Sequence, residues 1–283
     1  MPNDFNQQVI DEFRANGGVV GGPFEGGRLL LLTTTGARTG VRHTTPLGYL
    51  PDGDGRVLVI ASAGGAPRDP QWFRNLVTHP RVAVEAGVFR YEAEAEVLTG
   101  DERDRAFARA VESDPGWSDY QSRTDRVIPV VALREMPGPP DIAAPSFGAA
   151  VKAVHDGFRR ELSLIRREFA RPWDPGSTSL GAQLRVNCLT ACQGLHNHHT
   201  GEDAGLFPAL AARHPELAPV LERLGQEHLK LAKLLEELRA AVTDGHPDPV
   251  PVRAEVERLA AAIDEHFRYE EEHLIPVLDA ASP

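Results

Sequence analysis

The chain has 283 residues, 41 % hydrophobic and 25 % charged, a balance that excludes disordered and fibrous proteins and predicts a folded chain of two domains. Its net charge of -11 argues against a general binder of nucleic acid or of anionic membranes, because both partners require a basic surface. The first residues, MPNDFNQQVIDEF, form no apolar leader and no stretch approaches the apolar length of a membrane span, so a cytoplasmic protein is expected.

The N-terminal half reads mainly as strands. RLLLLTTTG, HTTPLGYL, GRVLVIAS, RVAVEAG, FRYEAEAEVLTG and RVIPVVALRE are short, rich in Val, Leu and Thr, and punctuated by Gly, Pro and Asp. Helical patterns fall at about 4–16, 69–79 and 100–113, too few and too uneven for a regular strand and helix alternation. A small antiparallel barrel with peripheral helices is expected over 1–135.

Prolines then interrupt the pattern. REMPGPPDIAAPSF (134–147) holds four of them, which predicts a linker over 136–147 with a boundary near 140. Beyond it, apolar residues recur at helical spacing in four long runs, FGAAVKAVHDGFRRELSLIRREFA, LGAQLRVNCLTACQGLHNHH, ELAPVLERLGQEHLKLAKLLEELRAAV and PVRAEVERLAAAIDEHFRYEEEHLIPVL. RPWDPGSTS and TDGHPDPVP are the breaks between them, and an antiparallel four-helix bundle over 148–283 hides the four stripes, giving an α+β chain of two domains. Cys188 and Cys192, the only cysteines, sit one turn apart in this helical pattern and read as buried thiols rather than a disulfide framework.

Each predicted bundle helix carries a histidine: His155, His198, His228 and His266. His198 is followed four residues later by Glu202, and His266 by Glu270, so each pair aims an imidazole and a carboxylate from one helical face at one point. A single histidine on an apolar stripe is ordinarily a hydrogen-bonded core residue. Four of them, two with the same glutamate spacing, point instead to mixed nitrogen and oxygen ligation of a cation pair, which suits iron or manganese better than a closed zinc site. His196, His199 and Asp203 are expected to be exposed or to orient the ligands.

These residues, with HHTGEDAGLFPAL, EHLKL and HFRYEEEHLIPVL around them, resemble the hemerythrin-type HHE domain over about 148–280. The resemblance implies two non-haem iron ions, oxo- or carboxylate-bridged, that meet O2, peroxide or nitric oxide. Oxygen-carrying hemerythrins have a second histidine four residues after the third-helix ligand, where this chain has Ala232. One iron is therefore expected to be less saturated, or to take water or a side chain such as Tyr269.

Two loops of the N-terminal half suggest an anion and a flat ring. TTTGARTGVRHTTPL combines Gly36 and Gly40 with Arg38 and Arg42, and a glycine turn flanked by arginines suits phosphate or carboxylate. It has neither the ending of a nucleotide-hydrolase phosphate loop nor a dinucleotide fingerprint. ASAGGAPRDPQWFRNL offers Ser62, Gly64 and Gly65 ahead of a helix with Trp72, Phe73 and Asn75. Together with WSDYQSRTDRVIPVVAL, these segments resemble the deazaflavin-dependent nitroreductase family over roughly 5–134, a split β-barrel that binds the deazaflavin coenzyme (F-420).

That resemblance implies hydride transfer from the reduced deazaflavin to quinones or nitro compounds, and a fold that commonly dimerises. It assigns Ala37, Arg38, Thr39, Arg42, His43, Thr44, Thr45 and Pro46 to the coenzyme's phosphate and oligoglutamate tail. Ala61, Ser62, Ala63 and Gly64, with Gln71, Trp72, Phe73, Arg74 and Asn75, border its ring. Tyr120 matches a substrate-pocket tyrosine able to orient or protonate an acceptor. Trp117 stands where relatives often have a second tyrosine, and His79 reads as a surface or capping residue. The combination is expected to be an oxidoreductase with no nucleic-acid partner. The alternatives are a di-iron O2, nitric oxide or redox sensor whose bundle regulates the barrel, and a barrel loaded with flavin mononucleotide.

Overall fold

A computed structural model describes residues 4–53, 55–138, 141–142, 144–170, 180–244 and 247–280. The predicted break RPWDPGSTS at 171–179 lies outside them. The chain divides into two compact units, Met1–Ala143 and Ala144–Pro283.

In the first unit, β1 (Leu29–Thr35), β2 (Arg42–Gly53), β3 (Arg56–Ile60), β4 (Arg81–Ala86), β5 (Phe89–Val97) and β6 (Val130–Glu135) pair antiparallel in the order β4-β1-β2-β3-β6-β5. The β4–β5 pairing closes the ring into the expected barrel. Its helices are α1 (Asp4–Ala15), α2 (Gln71–Thr78), α3 (Gly100–Ser113) and α4 (Gly116–Ser122). The apolar run of β1 does not alternate, because both of its faces are covered. Leu30 and Leu32 pack with Trp72 and Leu76 of α2, whereas Leu29 and Leu31 pack with Val9, Ile10 and Phe13 of α1.

Two features of this unit depart from the sequence reading. Asp141 and Ile142, predicted as linker, form a short strand β7 (Asp141–Ile142) on β5, opposite Arg90 and Phe89. The pairing of β5 with β6 begins only at Ala93, so that end of β5 offers unpaired backbone that β7 takes up. The short helix α4 was not foreseen, since seven residues are too few to display a 3.6-residue period.

The second unit is the expected bundle: α5 (Phe147–Ala170), α6 (Ala182–Gly201), α7 (Phe207–Arg213), α8 (Ala218–Thr243) and α9 (Pro249–Ala280). Helices α6 and α7 are one helical run joined by a π-turn over Glu202–Leu206, in which the Phe207 N–H donates to the Glu202 carbonyl five residues back. Pro208 has no N–H to continue the ordinary ladder, and the wider turn places Phe207 in the core. The same tripeptide pattern in LIPVL has no such effect, because Pro276 lies inside an unbroken α9.

Two hydrophobic clusters fill the bundle, one containing Leu162, Leu195, Leu231 and Phe267, the other Val151, Phe207, Leu224 and Leu274. The buried histidines and glutamates lie where the two clusters meet, so a polar layer crosses the core between them.

Candidate functional site

The polar layer brings His155, His198, Glu202, His228, His266 and Glu270 together, and all but His198 are buried. Helices α5 and α6 bring the Nε2 atoms of His155 and His198 to 3.1 Å, and α8 and α9 bring those of His228 and His266 to the same 3.1 Å. Two carboxylates connect these pairs. Glu202 lies 3.3 Å from His198 Nε2 through one oxygen and 3.6 Å from His228 Nε2 through the other. Glu270 Oε2 lies 3.6 Å from both His155 Nε2 and His266 Nε2.

Surrounding carboxylates determine which nitrogen of each ring faces inward. The Nδ1–H groups donate as follows: His155 to Glu271 at 3.0 Å, His228 to Asp203 at 2.8 Å and His266 to Glu227 at 3.0 Å. A carboxylate only accepts, so Nδ1 carries the proton and Nε2 turns a lone pair into the core. Arginines hold two of these acceptors: Arg159 donates to Glu271 at 2.6 Å and Arg223 to Glu227 at 2.8 Å. Burial alone would raise the Glu271 carboxyl, but the bonds from His155 and Arg159 outweigh it and bring it down to about 2. Asp203 thus takes the orienting place expected of it, and His196 is exposed.

Without a cation this layer is unfavourable. The Nε2 atoms of His228 and His266 stand 3.1 Å apart, where two rings already protonated at Nδ1 would oppose their lone pairs, and all four oxygens of Glu202 and Glu270 are buried without a hydrogen-bond partner. Burial pushes both carboxyls up, with further repulsion from Glu270 acting on Glu202. Burial also pushes His198 down to about 3 and His266 down to about 4. Metal ligation would satisfy the facing nitrogens and the unpartnered carboxylates, so the donor set fits a metal centre of the kind implied by the sequence.

Of the two places expected for His199, the exposed one does not hold. It is 5 % exposed, and one donor atom from each of His199, His228 and His266 falls within 4.8 Å of the others. Tyr269 packs under Arg223, whose guanidinium lies 3.6 Å from the ring centroid. Cys188 and Cys192 are both buried and form no disulfide.

In the first unit, the hairpin between β1 and β2 exposes Ala37, Arg38, Thr39, Arg42 and His43, with Thr44, Thr45 and Pro46 half-buried behind them. A Cβ at Gly36 would lie 2.7 Å from Thr39 Oγ1 and 3.1 Å from the Val41 carbonyl oxygen, so the turn packs closely around this residue. Trp72 packs into the barrel core, while Gln71, Phe73 and Arg74 remain exposed or half-buried. Asn75 is buried too: its Nδ2 donates to Thr34 Oγ1 at 3.1 Å and its Oδ1 accepts from the Ala37 N–H at 3.1 Å. One side chain therefore ties the helix that follows the second loop to the first loop.

Ala61, Ser62, Ala63 and Gly64 form the second loop, where Ala63 and Gly64 have φ of 48° and 65°. Ala63 is the only non-glycine with positive φ among the described residues, a strained conformation that its surroundings must enforce. Arg126 enforces it. Its guanidinium donates to the carbonyls of Ala61 at 2.9 Å, Ser62 at 2.6 Å and Ala66 at 2.9 Å, and to Asp69 at 2.9 Å. Sequence reading missed Arg126, since nothing local distinguishes it from a surface arginine. A Cβ on Gly65 would strike Tyr120 O and Arg123 Cβ at 2.8 Å, so glycine lets the loop rest directly on α4. There Trp117 and Tyr120 meet edge to face with centroids 5.9 Å apart. His79 is exposed at the end of α2.

Comparison with known proteins assigns each unit a likeness. Residues 6–135 match the F420H(2)-dependent quinone reductase family, and residues 147–278 match the hemerythrin HHE cation binding domain. An F420H(2)-dependent quinone reductase of Mycobacterium tuberculosis is 41 % identical over 107 residues, covering 37 % of this chain and 71 % of that protein. A second protein of that organism, named for the same activity, is 38 % identical over 105 residues, 37 % of this chain and 87 % of its own length. A solved F420-H2 dependent reductase (FDR-A) is 36 % identical, covering 38 % of this chain and 94 % of that one, with a TM-score of 0.35.

Proposed function

The chain belongs, through its N-terminal unit, to the F420H(2)-dependent quinone reductase family, and from that premise we propose a deazaflavin-dependent oxidoreductase that reduces quinone- or nitro-type acceptors and carries a di-iron centre in its bundle. The observation that carries the reading is the shared anchoring of the two loops assigned to the coenzyme. Asn75 fixes the arginine-bearing hairpin, and Arg126 fixes the strained loop beside Tyr120.

In this reading Arg38, Thr39 and Arg42 hold the coenzyme's phosphate and oligoglutamate tail by charge-assisted hydrogen bonds. The Ala61–Gly64 backbone, with Gln71, Phe73 and Arg74, borders the ring, and Asn75 and Trp72 support that border from the core. Bound in its reduced form, the deazaflavin supplies a hydride. The Tyr120 hydroxyl donates the accompanying proton to the acceptor oxygen, completing a two-electron reduction, and takes a proton back from solvent. Within the bundle, His155, His198, Glu202, His228, His266 and Glu270 hold two iron ions, which supply one-electron chemistry toward O2, peroxide or nitric oxide. The buried layer keeps bulk water from the donors.

The test is an anaerobic titration of the full chain with the deazaflavin and with flavin mononucleotide, followed by steady-state oxidation of reduced deazaflavin by a quinone. Deazaflavin binding and catalytic turnover are expected. Submicromolar binding of the flavin alone, or stoichiometric oxidation without turnover, overturns the reading. The second outcome would favour a sensor.

A further inference from the structure

We propose that His199 is a metal ligand, the fifth imidazole of the bundle, and that the two ends of the site are unequal: His199, His228 and His266 at one end, His155 and His198 at the other. The proposal rests on the di-iron reading above and adds a residue that the glutamate spacing does not reveal.

Neighbouring residues on a helix point about 100° apart, so two consecutive histidines can face two different partners when the helix packs on both. Helix α6 packs on both α5 and α8. His198 accordingly turns toward α5 and meets His155, while His199 turns toward α8. The His199 ring lies 4.5 Å from that of His228 at an interplanar angle of 26°, and 5.2 Å from that of His266 at 90°. Edge-on approach to one ring and stacking on the other aim His199 at the space those two nitrogens share.

Its Nε2 is buried with no hydrogen-bond partner. A histidine kept only for packing has its nitrogens matched, as the Nδ1 atoms of the neighbouring histidines are matched by carboxylates. The polar atom left open here belongs to the residue whose donor atom clusters with those of His228 and His266. On α8 the residue one turn after His228 is Ala232, and it is exposed. A histidine there would point away from the layer, so α8 is not the helix that supplies this nitrogen.

The experiment uses the full chain, stripped of metal and titrated anaerobically with Co(II), as wild type, His199→Gln and the exposed-site control His196→Gln. Wild type is expected to take up two ions. In His199→Gln one of the two steps weakens at least about tenfold and the visible Co(II) bands change in energy and intensity, while His196→Gln superimposes on wild type. Identical titrations and bands for His199→Gln and wild type overturn this proposal and leave the di-iron reading standing. No uptake by wild type overturns both. Should His199→Gln fail to fold, X-ray absorption on loaded wild type decides, with five imidazoles per metal pair supporting the proposal and four overturning it.

Discussion

His228 and His266 turn their Nε2 atoms toward each other at 3.1 Å while Asp203 and Glu227 occupy the Nδ1 of each ring. Two neutral imidazoles so oriented repel unless an electrophile lies between them. Metal removal should therefore destabilise the bundle. A cation present at 100 times its Kd stabilises the state that binds it by about 2.7 kcal/mol, so chelation is expected to lower Tm by about 5 °C or more. Calorimetry of loaded and stripped protein checks this, and superimposable melts would remove the cation from the bundle.

Proton release should accompany uptake. Burial holds the Glu202 and Glu270 carboxyls above the ordinary carboxylate range, so the metal-free site retains protons that an exposed glutamate would have lost. An incoming cation must displace them, and apparent affinity rises with pH. Calorimetric titration in two buffers of different ionisation enthalpy measures the protons released. A heat independent of the buffer would contradict the expectation.

Arg126 positions the ring loop through four donated bonds, three of them to backbone carbonyls. Lysine keeps the charge but lacks the planar fork. Arg126→Lys is expected to weaken deazaflavin binding about tenfold, equivalent to about 1.4 kcal/mol, with an unchanged circular dichroism spectrum. Unaltered affinity would show that the strained loop holds without the clamp.

Asn75→Ala removes the link between Thr34 and Ala37, leaving the buried Thr34 hydroxyl without this bond. A cost of about 1–3 kcal/mol is expected in denaturant unfolding of the barrel, together with weaker coenzyme binding. A variant as stable as wild type would mean that the hairpin orders itself.

Burial pushes the Cys192 thiol up to about 11, against a small opposing effect of Arg239. The thiolate is the nucleophile, so at pH 8 about one thiol in a thousand is reactive, rising about tenfold per pH unit. Native protein is expected to resist alkylation that denatured protein accepts at both cysteines, as mass spectrometry would show. Rapid native labelling would argue for a redox pair.

Local periodicity by itself determined the two architectures. The runs from RLLLLTTTG to RVIPVVALRE specify strands, the four 3.6-residue stripes specify bundle helices, and the i, i+4 spacing of His198 with Glu202 and His266 with Glu270 assigns each pair to one helical face. Spacing reports only the face a residue shares with its sequence neighbours. What lies opposite that face was decided by tertiary structure: α6 has partners on two sides, so His199 is buried beside His198, and Pro208 passes through a π-turn where Pro276 does not. Arg126 and Asn75 acquire their roles from loops that lie 60 and 38 residues away in the chain. Their hydrogen bonds join segments distant in sequence, and such partners have no periodic signature, because only chain folding brings donor and acceptor together.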